Sequence, residues 1–594
     1  MNPTTLAIHG ELTADGRSIV LMATGSEFEI RNAARWLGLL TPLVKKSDPP
    51  GALVLPVTWA ATVQLAHTFG VAWRPGPRLV AWITQEMTRR SMRPDALTVA
   101  VPEGLTPGPY QVEGATMIAA TGRALLFDDP GTGKTITTIL GLLERAAAGH
   151  QVAPVLVIAP ASVVDPWVEA WKTWAPDWRV TAWRGTPDHR RRLAARPAGA
   201  AAHVIVASYD TTRMDAAKHH PLDKVGARSV VVDECHLIKS PHAARSLAAR
   251  RLARKADTFV ALSGTPITHH PGDLWPTLEA LAPLAWPSGE RWKERYCVTV
   301  PGDYSARVLG LNTASEPEFR ATLHGQHRRV AKADVLTQLP PKVYSVRNVE
   351  LPEAYRKAYD NFESQMLAEL PDGQELAVMD VLAKINFLNG LASAAADVRI
   401  TVEVATSGPR EGEEVEHTHL DLKAPSWKVD ALLEVLAERP DEQVVAFAPS
   451  RQLMMLAGQQ ATAAGYQVGY VVGGQSMKER TETVEAFQKG KLGLLCATTA
   501  AGGVGLTLTA ARTVVFLQRP WSLVDATQAE DRCHRIGSEI HDSIEVIDIV
   551  ATNTIDSRIR GVLYDKAGQL AELLQDRRIV TQLLGGLSTR KAAA

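Results

Sequence analysis

Between Phe127 and Thr138 the chain reads FDDPGTGKTITT. Gly131 and Gly133, with Thr132 between them, free the backbone to curl so that successive N–H groups face one anion. Lys134 has the reach to meet β- and γ-phosphates, and the Thr135 hydroxyl is a ligand for Mg2+. The apolar run RALLF ahead of the loop reads as a strand, and KTITTILGLLERAAA behind it as a helix. The helix N-terminus adds partial positive charge to the same spot. Strand, glycine turn and helix together predict a site for ATP. One residue departs from the usual spacing. The pattern G-x-x-x-x-G-K-[ST] wants a glycine where Asp128 stands, so a plain turn carrying the letters G-K-T is the alternative.

A second group of residues completes the chemistry. SVVVDECHLIKS puts Asp233 and Glu234 at the end of an apolar strand. In a parallel sheet that end is where ligands bind. Asp233 is the candidate Mg2+ ligand, and Glu234 the candidate for orienting or deprotonating the attacking water.

The elements that hold these residues follow from the pattern of apolar runs. RALLF, VLVIAP, HVIVAS, SVVVDE and TFVALSG are short, wholly apolar, and separated by turns and helical stretches. Strands buried on both faces and alternating with helices imply a parallel α/β sheet. The rhythm returns in VVAFAP, GYQVGYVVG, LGLLCAT and TVVFLQ. The expected fold class is therefore α/β: two tandem parallel-sheet lobes, at 101–345 and 421–587. A helical insert lies between them at 346–420, where TSGPREGEEVEHTH reads as an exposed acidic loop. Residues 1–100 read as a small separate α+β unit, with two strands around Asp15-Gly16 and a break at VAWRPGPR. Residues 588–594 read as a disordered tail.

Composition narrows the function classes. Lys plus Arg is 64 and Asp plus Glu is 64. A nucleic-acid partner must then be held by a local basic groove and not by a global field. The four cysteines form no C-x-x-C pair, which points to reduced thiols and away from a zinc site. No signal peptide or membrane-length apolar run is read, so a cytoplasmic location without a membrane partner is expected.

The motifs then resemble one family. D-E-x-H, here Asp233 to His236, resembles superfamily-two helicases and translocases. The loop DDPGTGKT resembles the D-E-x-G-x-G-K-T loop of the Swi/Snf-type ATPases, whose two parallel-sheet lobes are RecA-like. On that resemblance Asp128 belongs to a true nucleotide loop. Asp129 and Pro130 are departures beside an intact Gly131, Gly133, Lys134 and Thr135. PYQVEG, VASYDTTR, LSGTPI, RRVAKADVLTQLPPK, SWKVDALLEVL, TTAAGGVGLTLTAA and QAEDRCHRIGS continue the resemblance through both lobes, with Ser538 where the family has Gln.

The resemblance implies roles. Gln111 reads the adenine edge. Ser263 and Thr265, with His236 and Gln528, couple the γ-phosphate to lobe movement. Gly503 and Gly505 allow close backbone approach. Arg532 and Arg535, three apart and so on one face of a helix, offer an arginine finger. Ser162, Ser208, Tyr209, Ser450, Thr498 and Arg480 are the implied nucleic-acid contacts, with a surface salt bridge as the alternative for Arg480. The implied activity is ATP- and Mg2+-dependent movement along double-stranded or forked DNA. The setting would be repair, recombination or fork remodelling by a compact bacterial or phage enzyme. That enzyme would be nucleoid-associated in a bacterium, or in the host cytoplasm for a phage. Strand separation on DNA or RNA, and a non-catalytic nucleotide switch, are the alternatives. Trp36, Trp59, Trp73 and Trp82 in the first 100 residues are either base-stacking platforms or core residues, and that region has a DNA or a protein partner.

Overall fold

The computed structural model describes residues 6–40, 43–47, 52–195, 202–217, 219–267, 270–300, 307–368, 378–404, 414–502 and 506–561. The chain divides into two compact units, Met1–Leu336 and Thr337–Ala594. The division falls before the 345/346 boundary read from the sequence, because Lys342–Val349 is a strand of the second unit's sheet.

The first unit is built on a seven-stranded parallel sheet. Its strands run in the order His327–Arg328, Arg123–Leu126, Thr258–Leu262, Ser229–Asp233, Val155–Ala159, Val204–Ser208, Val180–Trp183. Alternate side chains go to opposite faces. Leu156, Ile158, Val230 and Val232 enter one core, and Val155, Val157, Ala159 and Val231 the other. Each such valine or leucine contributes about 1.5–3 kcal/mol by leaving water. This is why the five central strands are apolar between their ends.

The second unit repeats the plan with six parallel strands: Lys342–Val349, Ile544–Ala551, Thr513–Phe516, Val444–Ala448, Leu494–Thr498 and Val468–Val471, in that order. Helices Glu353–Ala368 and Val378–Leu391 precede a two-stranded ribbon, Ala395–Val404 with Glu414–Lys423. The ribbon corrects the expected acidic loop over its last residues, since Glu414–His419 is strand. Cross-strand charge pairs tie the other end of the ribbon together: Arg399 meets Asp421 at 2.9 Å, and Lys423 meets Asp397. Residues 405–413 and 562–594, the latter including the 588–594 tail, lie outside the described residues.

Residues 6–91 form a five-stranded α+β layer with three helices. It is not separate. Trp59 Nε1 donates to Ala321 O at 2.8 Å, Arg90 donates to His324 O at 3.0 Å, and the layer falls within the first unit. The expected break at VAWRPGPR is instead a strand, Trp73–Pro75, followed at once by helix Pro77–Ser91. Proline is at home there, because its fixed φ and missing N–H suit the first helical turn.

No helix among the described residues is long and apolar enough to cross a membrane. All four cysteines are free and buried. Burial raises every thiol, and takes Cys297, Cys496 and Cys533 to about 12. Buried thiols held protonated are unreactive. A thiol-exchange reagent such as DTNB at pH 8 is expected to release no colour from the native protein and four equivalents after denaturation. Rapid reaction of even one native thiol would contradict this packing.

Candidate nucleotide site

Strand Arg123–Leu126 and helix Lys134–Ala147 flank the glycine loop as expected. Gly131 and Gly133 have φ of 84° and 81°. These left-handed conformations, costly for residues with a Cβ, wrap the backbone around the place where a phosphate sits. Lys134 Nζ donates to the carbonyls of Asp128 (2.8 Å) and Asp129 (3.0 Å). Thr132 Oγ1 donates to Asp129 O at 2.8 Å. Thr135 lies in the first turn of the helix. Gln111 uses both ends of its amide. Its Oε1 accepts from Gly108 N at 2.9 Å, and its Nε2 donates to Thr132 O at 3.2 Å. It thus braces the loop from helix Pro109–Thr121.

The carboxylates of Asp128 and Asp129 both have partners within the unit. Asp128 is 1% exposed; it pairs with Arg328 Nη2 at 2.5 Å and accepts from Val330 N at 3.0 Å. Asp129 accepts from Arg329 Nη2 at 3.3 Å and from Lys332 N at 3.0 Å. Two carboxylates aimed at a polyphosphate would repel it, and here both are turned onto cations and N–H groups of residues 328–332. Arg328 and Arg329 were missed as site residues. The available signal was the pair of acids in an anion-binding loop, which demands cations elsewhere. Pro130 has a different partner. A Cβ built on Gly264 would lie 2.7 Å from Pro130 Cδ and Cγ, so the Ser263–Thr265 loop sits hard against the phosphate loop.

At the end of strand Ser229–Asp233, Asp233 Oδ2 accepts from Trp167 Nε1 at 2.7 Å and Oδ1 from Glu234 N at 2.9 Å. Burial raises the Asp233 carboxyl to about 6, the charge of Glu234 adds to this, and Trp167 and Lys134 oppose it. Trp167 is a second missed residue. Nothing local in the sequence shows where its indole N–H points. Glu234 has φ 49°, a rare conformation for a residue with a side chain. Its Oε2 is 3.2 Å from His236 Nδ1, which lies 3.1 Å from Ser263 Oγ, which accepts from Thr265 N at 3.1 Å. The acid and three of the expected coupling residues therefore form one continuous chain of contacts.

Tyr209 is a further correction. Its side chain is buried, and its hydroxyl donates to Asp233 O at 2.5 Å, so it fixes the acidic strand end instead of facing a nucleic acid. Ser208 caps helix Tyr209–Asp215. Ser208 and Ser162 follow neighbouring strands at one edge of the sheet.

In the second unit, helix Leu523–Glu530 carries buried Gln528 and ends before the arginines. Arg532 and Arg535 therefore do not share a helix face. Arg532 O accepts from Leu508 N at 2.9 Å, a bond that holds the backbone in a turn. Arg535 Nη1 donates to Leu506 O at 2.9 Å and Thr507 Oγ1 at 3.0 Å, and burial lowers its pKa. Gly503 and Gly505 lie outside the described residues. Ser450 caps helix Arg451–Ala463, and Thr498 ends the neighbouring strand. Arg480 Nη2 donates to Val472 O at 3.3 Å.

Gly264→Ala tests the contact between the two loops. It is expected to cost about 1–3 kcal/mol of stability by overpacking and to weaken ATP binding. Thermal unfolding and titration with a fluorescent nucleotide measure both. Wild-type values for each would contradict the contact.

The SNF2-related domain family matches residues 78–394, and the helicase conserved C-terminal domain family matches residues 427–537. The putative ATP-dependent helicase/translocase YwqA of Bacillus subtilis is 28% identical over 472 residues, 77% of this chain and 47% of that protein. The DNA annealing helicase and endonuclease ZRANB3 of Mus musculus is 26% identical over 522 residues, 85% of this chain and 43% of that protein. The chain thus spans less than half the length of these relatives. A solved Sulfolobus solfataricus SWI2/SNF2 ATPase core in complex with dsDNA is 21% identical with a TM-score of 0.36, covering 82% of this chain and 97% of that one. The first family match alone takes in more than half of the 594 residues and contains both the phosphate loop and the acidic strand end, so the chain belongs to the SNF2-related family.

Proposed function

We propose that the chain is an ATP-driven motor that moves along duplex DNA. The observation that carries this reading is the contact chain Glu234–His236–Ser263–Thr265, seated against the phosphate loop through Gly264 and Pro130. An ATPase that only hydrolysed nucleotide would have no use for a relay from its acid into a neighbouring loop.

The roles follow from the geometry. Gly131, Thr132 and Gly133 cradle the phosphates. Lys134 exchanges the carbonyls of Asp128 and Asp129 for the β- and γ-phosphates. Burial raises the Asp233 carboxyl, and a cation bound beside it would favour its ionised form. Each of its oxygens keeps a lone-pair direction beyond the one hydrogen bond it accepts. With the Thr135 hydroxyl it makes an oxygen set that suits a hard cation. Mg2+ bound there would neutralise charge developing on the transferred phosphoryl group. Glu234 orients the attacking water, and the relay passes loss of the γ-phosphate to the Ser263–Thr265 loop. Gln111, which braces the loop, is the candidate reader of the adenine edge. Arg532 and Arg535 are the candidate cations for the transition state, and Gln528 the candidate coupling residue on the helix before them in sequence.

The DNA reading is supported by the name of the annealing helicase relative and by the hydroxyls at the sheet edges. Ser162, Ser208, Ser450 and Thr498 all lie at C-terminal strand edges, where hydroxyls and helix N-termini meet backbone phosphates. Such binding is independent of sequence and weakens with salt.

ATP hydrolysis measured without nucleic acid, and with single-stranded, duplex or forked DNA or RNA, tests the proposal. Duplex DNA is expected to stimulate turnover strongly, and Glu234→Gln to abolish it. Stimulation by single strands or RNA alone would favour an unwinding helicase. Binding without any turnover would favour a nucleotide switch.

The four tryptophans of the N-terminal layer sort themselves by environment. Trp73 is in the core, Trp82 packs against it, and Trp59 is tied to Ala321. Trp36 is 55% exposed and Phe28 74% exposed on helix Glu27–Leu40, with Arg31 and Arg35 between them in sequence. Aromatic rings interleaved with cations suit the unpaired arm of a fork. Trp36→Ala is expected to weaken binding to forked DNA about fivefold or more, the loss of one stacked base. It is expected to leave turnover on blunt duplex unchanged. Equal binding of fork and blunt duplex by both proteins would count against a DNA role for this layer.

A further inference from the structure

One stretch of chain, from Gln326 to Lys342, touches both halves of the chemistry. Within the first unit it runs beside the phosphate strand: Leu125 N donates to Gln326 O, Phe127 N to Arg328 O and Asp129 N to Val330 O, at 2.7, 2.9 and 3.0 Å. Arg328 then locks Asp128 and also reaches Tyr110 O, next to Gln111. Arg329 and Lys332 N hold Asp129. The carbonyls on which Lys134 rests belong to these same two aspartates. Leu336, 6% exposed, is the last residue of this unit.

The second unit grips the stretch again at once. His534 Nε2 lies 2.8 Å from Pro340 O, and Ile544 N donates to Pro341 O at 2.9 Å. Lys342 Nζ is 3.1 Å from both Glu530 Oε2 and Asp531 Oδ1, which directly precede Arg532. Tyr344 adds a hydroxyl to Glu530 at 2.9 Å, and Arg519 meets the other Glu530 oxygen at 3.1 Å. Only Thr337, Gln338 and Leu339 lie between the last anchor in one unit and the first in the other.

We infer that Arg328 and Lys342 are positioning residues for ATP turnover, acting through the two ends of one strap. This rests on the motor reading above. Arg328 holds the root of the phosphate loop, so it acts on nucleotide binding. Lys342 holds the turn that carries Arg532 and Arg535, so it acts on the transition state. The three-residue connection between the anchors cannot absorb much displacement without pulling on one of them, because an extended residue spans only about 3.3–3.6 Å. A purely structural strap would tolerate added slack.

The experiment compares steady-state ATP hydrolysis on duplex DNA for the full chain and four variants, with thermal unfolding alongside. Arg328→Met alone strands a buried carboxylate and is expected to unfold early. The double variant Asp128→Asn/Arg328→Met removes that charge and is expected to recover most of the unfolding temperature. Its KM for ATP is expected to stay raised about tenfold or more, with a smaller change in kcat. Lys342→Met is expected to show the opposite split, with kcat lowered about tenfold or more and KM within twofold. Inserting Gly-Ser-Gly-Ser between Gln338 and Leu339 leaves every anchor in place. It is expected to lower kcat while the Kd for a fluorescent ATP analogue stays within twofold.

The inference is overturned if the double variant regains wild-type KM along with its stability. It is equally overturned if Lys342→Met and the insertion turn over ATP as the full chain does. A full chain that hydrolyses no ATP on any DNA would remove the motor reading itself. A full chain that works beside variants that work equally well removes the strap alone.

Discussion

A strand covered by helices on both faces leaves unpaired polar side chains only at its ends. That constraint gathers the candidate site residues of both sheets. Ser229–Asp233 is apolar through Val230, Val231 and Val232, each 0% exposed, and the next side chain is a carboxylate. Val204–Ser208 and Leu494–Thr498 close on hydroxyls in the same way. Because the strands of each sheet are parallel, these polar ends collect along one edge, and the glycine loop after Arg123–Leu126 opens at that edge too. The chemistry is thus gathered by burial, before any residue recognises another.

Polar groups that are buried away from the edge are paired. Asp128 meets Arg328, Lys428 meets Asp556 at 2.5 Å, and Arg519 meets Asp548 at 2.6 Å. Desolvating both partners offsets much of their attraction, so such pairs add little net stability, yet losing one partner costs about 3–5 kcal/mol. Their value lies in fixing one arrangement among several. In the first unit, the pairing of Asp128 and Asp129 with residues 328–332 decides which way the acids of the phosphate loop face. In the second, Lys342 makes the same kind of choice for Glu530 and Asp531.

The sequence made the local parts of this legible. Wholly apolar runs foretold parallel strands, and the spacing of Gly131, Gly133, Lys134 and Thr135 foretold the loop. Asp233 and Glu234 were placed at a strand end by the valines before them. What escaped was long-range. Asp128 and Arg328 are 200 residues apart, and only the pairing of His327–Arg328 beside Arg123–Leu126 brings them together. Tyr209 reaches Asp233 across 24 residues and past the intervening strand Val155–Ala159. The helix through Arg532 and Arg535 failed for a related reason. Its spacing suited a helix, but the bond from Leu508 N to Arg532 O competes for the backbone. Pro77 was read as a breaker because position within a helix, and not the residue type, decides what proline does.

The central claim is that ATP turnover drives movement along an intact duplex. Displacement of a third strand from a triplex tests it most directly, since the oligonucleotide can be removed by a protein travelling along the duplex without separating that duplex. The expected result is ATP-dependent release of the third strand with the underlying duplex recovered whole, and no release by Glu234→Gln. Strand separation of a forked duplex, with the third strand left bound under the same conditions, would contradict the account.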